Sequence, residues 1–111
     1  MPGAVHLRDC KILIDLLKKQ QSKKKLYGAI CAAPSVVLAS KGLIGEKATC
    51  YPDPGLRGAM DSPVDDDIVI QDNVVSSKGP GTALKFALTL GEQLYGKDKA
   101  TAIAKELLIE I

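Results

Sequence analysis

Apolar residues recur at Leu7, Cys10, Ile14 and Leu17, spaced i, i+3, i+7 and i+10. Together with Leu13 and Leu16 they form a stripe that predicts one helix ending near Gln20. The polar run KKQQSKKK at 18–25 places cations at the negative end of that helix and predicts a solvated turn. An apolar run of strand length follows at 26–30. Pro34, at an early helical position before Val36, Val37 and Leu38, predicts a short helix that starts at once and stops at Gly42. Residues 47–51 read as a strand. Pro52, Pro54, Gly55, Gly58 and Pro63 then break any long element, leaving one irregular helical turn around 56–60 in a loop suited to site duties. IVIQDNVVSS at 68–77 places two β-branched runs around Gln71, Asp72 and Asn73, a hairpin pattern with Asn73 as the residue able to turn left-handed. A long helix enters through Gly79, Pro80, Gly81 and Thr82, with Ala83, Phe86, Ala87, Leu90 and Leu94 on one face. A last helix begins near Asp98, with Ala100, Ile103, Ala104 and Leu107 as its stripe. About four strands alternating with helices predict an α/β layered fold. The opening helix has no strand before it, so the sheet reads as cut off at one side.

A length of 111 residues bounds the chain to one domain, and 46% hydrophobic with 25% charged residues is a folding composition. The net charge of +2 and the 4% aromatic content give no footing for a nucleic-acid partner. No run of 18 apolar residues occurs and residues 1–10 lack a signal-type apolar core, so neither a membrane span nor secretion is expected. The cytoplasm is the default location, with nucleus or chloroplast as alternatives. Cys10, Cys31 and Cys50 form no C-x-x-C pair and His6 stands alone, so no metal site is expected. Three successive carboxylates at 65–67 cannot all face one point on an extended chain. Gly79, Gly81 and Thr82 do not reproduce a P-loop, because Leu84 and Lys85 hold the wrong places for nucleotide binding. Cys31 is the exception to this bland inventory. On a tight strand-to-helix turn its side chain would stand over the end of the sheet, where the free N–H groups of the helix start stabilise a thiolate. Cys10 and Cys50 read as packing residues.

AICAAP at 29–34, KATCYP at 47–52, SSKGPGTALKFAL at 76–88 and EQLYGK at 92–97 resemble the DJ-1/PfpI family, especially its plant DJ-1 members. The resemblance runs in register along the chain but corresponds to the C-terminal part of the family domain. It implies a partial flavodoxin-like sandwich lacking its N-terminal strands, with residues 1–111 as the C-terminal portion of one domain, paired as a homodimer. It also implies that Cys31 is the family's reactive cysteine, with the Ala32 N–H as an oxyanion donor and Tyr51, Lys78, Gly79 and Pro80 at the site's periphery. Family members with glyoxalase or deglycase activity convert α-oxoaldehydes such as methylglyoxal to hydroxy acids without glutathione, metal or cofactor. Tyr51 stands where many members carry histidine, and a phenol is a poor base at neutral pH. Lys78 replaces the more usual arginine, keeping a charge but losing the bidentate fork. The family's protonated glutamate has no counterpart here, and Glu46, Glu92, Glu106 and Glu110 occupy other motifs. Two alternatives accompany the enzyme reading: a redox-sensing, chaperone-like protein that oxidises Cys31, and an inactive truncated fragment.

Overall fold

The structure is a computed structural model that describes residues 2–110; Met1 and Ile111 lie outside the described residues. Two helices open the chain, α1 (Pro2–Arg8) and α2 (Lys11–Ser22), where the apolar stripe predicted one. Cys10 takes an extended conformation (φ −85°, ψ 101°) at the N-cap of α2. A break this short leaves apolar spacings compatible with an uninterrupted helix, so the pattern cannot reveal it. Ile14 reaches the core, whereas Cys10 is exposed, correcting the packing role expected of it.

β1 (Tyr27–Ile30) runs into a π-helical turn, Pro34–Leu38, and a 3-10 turn, Ala39–Lys41. Gly42 ends this segment at φ 67°, the left-handed conformation that glycine adopts most cheaply. Next come β2 (Lys47–Ala48), α3 (Pro54–Arg57), β3 (Ser62–Pro63), β4 (Ile68–Gln71) and β5 (Val74–Ser77). A 3-10 turn at Pro80–Thr82 leads into α4 (Ala83–Tyr95) and α5 (Lys97–Glu106). β2 is shorter than the strand expected at 47–51. Beyond Ala48 the Thr49 N–H donates to Ser76 Oγ at 3.0 Å and the Tyr51 N–H to the Cys31 carbonyl at 2.8 Å, so side-chain and loop partners replace a ladder. The hairpin forms as expected, but Asp72 rather than Asn73 is left-handed (φ 54°). The Asn73 side chain instead donates to the Lys25 carbonyl at 2.8 Å.

The main sheet has the order β1-β5-β4, with β1 parallel and β4 antiparallel to β5; Ile30 pairs with Ser77 and Ile68 with the same residue from the other side. All four residues of the central β5 are buried. β2 and β3 form a second, parallel pair. β3 was absent from the strand count made from sequence because Pro63 reads as a breaker, yet proline is tolerated where it need not donate to a ladder. The expectation of a partial sandwich lacking its N-terminal strands is therefore corrected: five strands flanked by helices make the flavodoxin-like arrangement, and α2 inserts Ile14 into the same core as Tyr27, Ala29, Val37 and Leu38. A Cβ on Gly28 would lie 2.8 Å from the Val75 carbonyl and 3.0 Å from the Phe86 ring, so glycine is what lets α4 sit against β1. Along α4 the buried side chain is Leu88, with Phe86 and Leu90 half-buried, while Leu94 of the predicted face is exposed.

Candidate functional site

The end of β1 sets the position of Cys31. Its N–H donates to the Ser77 carbonyl at 2.9 Å, the last link between β1 and β5, and its own carbonyl accepts the Tyr51 N–H at 2.8 Å. Held at both ends, Cys31 turns the chain through the left-handed region at φ 65°, a conformation that costs a residue bearing a Cβ about 1–2 kcal/mol. Pro34 follows at the first helical position with its φ already set, so the strand becomes a helix within a few residues. The Ala32 carbonyl accepts N–H bonds from Ser35 (3.1 Å) and Val36 (2.8 Å), whereas the Ala32 N–H donates to no backbone carbonyl among the described residues. This is the strand-to-helix elbow expected for Cys31, and the N–H of the next residue is left without a backbone acceptor.

Cys31 opens into a cleft of about 490 Å³ lined by Cys31, Ala32, Tyr51, Asp53, Gly55 and Leu56. Three of the expected residues, Cys31, Ala32 and Tyr51, thus share one cavity. Gly79 is buried behind Tyr51: a Cβ built on it would meet the Tyr51 ring at 3.5 Å. Thr82 fixes that turn. Its hydroxyl donates to the Gly79 carbonyl (2.9 Å) and accepts from the Gly79 N–H (3.1 Å), which leaves Ser77 Oγ as the donor in the 2.5 Å contact between the two hydroxyls. Lys78 and Pro80 do not line the cleft. Pro80 is exposed, and Lys78 directs its ammonium to Asp65 Oδ1 at 2.8 Å. The hydrogen bond with Asp65 raises the Lys78 pKa, and the same bond holds the Asp65 carboxyl below the usual carboxylate range.

Asp53, Gly55 and Leu56 enter the site from the proline-rich loop, whose sequence suggested site duties without assigning them to particular residues. Their signal is Asp53-Pro54: Asp53 caps α3, accepting the Leu56 N–H on Oδ2 at 3.1 Å, and Pro54 takes the first helical position. Ser35 Oγ donates to the Leu56 carbonyl at 2.7 Å and so ties α3 to the helix behind Cys31. Cys50 is buried beside Ala48 and Met60 and does not line the cleft, and burial pushes its thiol pKa up. No group of three or more histidine, cysteine, aspartate or glutamate side chains that could hold a metal ion occurs among the described residues, and no described helix is long and apolar enough to cross a membrane.

The DJ-1/PfpI family profile matches residues 1–93. The chain is 41% identical to Protein DJ-1 homolog A of Arabidopsis thaliana over 98% of its own length and 29% of that protein's. It is likewise 41% identical to Glutathione-independent glyoxalase DJR-1.2 of Caenorhabditis elegans, over 97% of its length and 59% of the relative's. The structure of oxidized Toxoplasma gondii DJ-1 superposes with a TM-score of 0.93 at 40% identity, covering 100% of this chain and 61% of that one. The chain thus spans less than two thirds of these relatives, yet follows the DJ-1 fold from end to end. That match corrects the expectation of a C-terminal part alone: the whole of this chain superposes on the relative's fold, over 61% of that chain. With the elbow cysteine, the fold and the family profile in agreement along the sequence, the chain belongs to the DJ-1/PfpI family.

Proposed function

We propose that the protein is a cysteine-dependent, cofactor-free glyoxalase or deglycase that converts small α-oxoaldehydes such as methylglyoxal to hydroxy acids without glutathione. The observation that carries this reading is Cys31 on its left-handed elbow at the wall of a cleft large enough for a three-carbon substrate. Similarity to a glutathione-independent glyoxalase over 97% of the chain supports it. Cys31 Sγ adds to the aldehyde carbon to form a hemithioacetal, and the Ala32 N–H is the donor nearest in sequence to the developing oxyanion. Leu56 and the Tyr51 ring give the cleft an apolar wall that suits a small carbonyl compound. Assembly as a homodimer and a cytoplasmic location complete the proposal, the first by analogy with the family.

The test is methylglyoxal consumption by the purified protein without glutathione, beside Cys31→Ala. Turnover in the parent and none in the variant is the expected result. No turnover in the parent, or equal rates in both, overturns the proposal. Redox sensing through Cys31 is the second reading, favoured by the solution of a DJ-1 relative in an oxidized form. Peroxide titration followed by mass spectrometry separates the two: selective modification of Cys31 with no aldehyde turnover supports the sensor.

A further inference from the structure

Glyoxalase chemistry needs a group that moves a proton between adjacent carbons, and no glutamate lines the Cys31 cleft among the described residues. The carboxylate that does line it is Asp53. We propose that Asp53 is a catalytic residue that carries this proton once Cys31 has captured the oxoaldehyde, an inference that rests on the function proposed above.

The main chain couples the two residues directly. The Cys31 carbonyl accepts the Tyr51 N–H at 2.8 Å, and the Tyr51 carbonyl accepts the Asp53 N–H at 2.8 Å. Two hydrogen bonds in series therefore fix Asp53 relative to the elbow. Prolines on both sides, Pro52 and Pro54, restrict the backbone, which is extended at Asp53 (φ −115°, ψ 132°). The side chain is positioned as well, because Oδ2 accepts the Leu56 N–H at 3.1 Å while Oδ1 takes part in no hydrogen bond among the described residues. One carboxylate oxygen thus anchors the group and the other remains free to exchange a proton. Such preorganisation serves general acid–base catalysis, which gains from a proton carrier held in one position at the wall of the cleft that Cys31 also lines.

The step balances without any added oxidant or reductant. Cys31 Sγ bonds to the aldehyde carbon, giving a hemithioacetal. Asp53 takes the proton from that carbon; the C–H electron pair becomes the C=C bond of an enediol as a proton reaches the neighbouring oxygen. Asp53 returns its proton to the neighbouring carbon while the oxygen on the sulfur-bearing carbon loses one, leaving a 2-hydroxy thioester. Water cleaves the C–S bond, releasing the hydroxy acid and the thiol. The aldehyde carbon is oxidised and its neighbour reduced within one molecule.

The experiment compares Asp53→Asn and Asp53→Glu with the parent, using methylglyoxal, steady-state kinetics and the intact mass of the protein during turnover. Asparagine keeps the helix cap but cannot carry the proton. Asp53→Asn is expected to lower kcat by about 10²–10⁴-fold and leave KM within about threefold, while a Cys31-bound methylglyoxal adduct accumulates. Asp53→Glu is expected to recover at least about tenfold over Asn, since it restores a proton carrier. An Asp53→Asn variant with kcat near the parent's overturns the inference and leaves the glyoxalase reading standing. Equal loss of adduct formation and turnover in both variants shows a merely structural Asp53 and also overturns it. A parent that never turns over removes the glyoxalase reading and this inference with it, an outcome distinguished by the parent rate alone.

Discussion

Replacing Cys31 by glycine and by alanine separates the strain of the elbow from the chemistry of the thiol. Both variants lose Sγ, so their packing losses are alike apart from one methyl group. They differ in how they tolerate φ 65°. A residue with a Cβ pays about 1–2 kcal/mol in the left-handed region, and glycine avoids this. Glycine in turn loses more backbone freedom on folding, by about 0.5–1 kcal/mol. The net expectation is that Cys31→Gly is more stable than Cys31→Ala, by up to about 1.5 kcal/mol, although glycine is the residue that normally weakens a protein. Urea denaturation with fixed m-values reads the difference, and thermal melting should place the glycine variant a few degrees higher. Neither variant should turn over methylglyoxal. If alanine equals or exceeds glycine in stability, the elbow stores no strain at Cys31 and the argument from its backbone conformation fails.

Two further predictions concern the buried wall beside the site. Thr49 Oγ1 is buried with no hydrogen-bond partner among the described residues. Thr49→Val, which keeps the shape and removes the hydroxyl, should therefore stabilise the fold by about 1 kcal/mol in urea melts, and a loss of stability would show that the hydroxyl has a partner. Burial raises the Cys50 thiol pKa, so the folded state favours the neutral thiol. Its contribution to stability is complete below the unfolded-state thiol pKa and is lost as pH rises through the folded one. Tyr27, also raised by burial, adds the same sign at higher pH. Stability measured against pH should fall in the alkaline range more steeply in the parent than in Cys50→Ala, and parallel curves would refute the assignment.

Local patterns made much of the fold legible. The run at 26–30, Pro34 and Gly42 defined β1, the elbow and its helix, because length, a preset φ and a left-handed stop act within a few residues. The hairpin at 68–77 and the two C-terminal helices were legible for the same reason. Features that depend on partners distant in sequence escaped. β3 exists only because Ser62 and Pro63 find β2, and the early end of β2 follows from Ser76 and Cys31 taking its donors. The exposure of Cys10 follows from a break that leaves helical spacing intact. The same division runs through the site. Cys31, Ala32 and Tyr51 were identified from residue type and motif, whereas Asp53 and Leu56 joined them only when the proline-rich loop folded over the cleft, and Lys78 was drawn off to Asp65. The sequence alone determined that a cysteine occupies a strand-to-helix turn, because that conformation is set by its nearest neighbours. Which carboxylate shares its cleft was decided by the tertiary structure, because the hydrogen bonds from Cys31 through Tyr51 to Asp53 join segments that no local pattern connects.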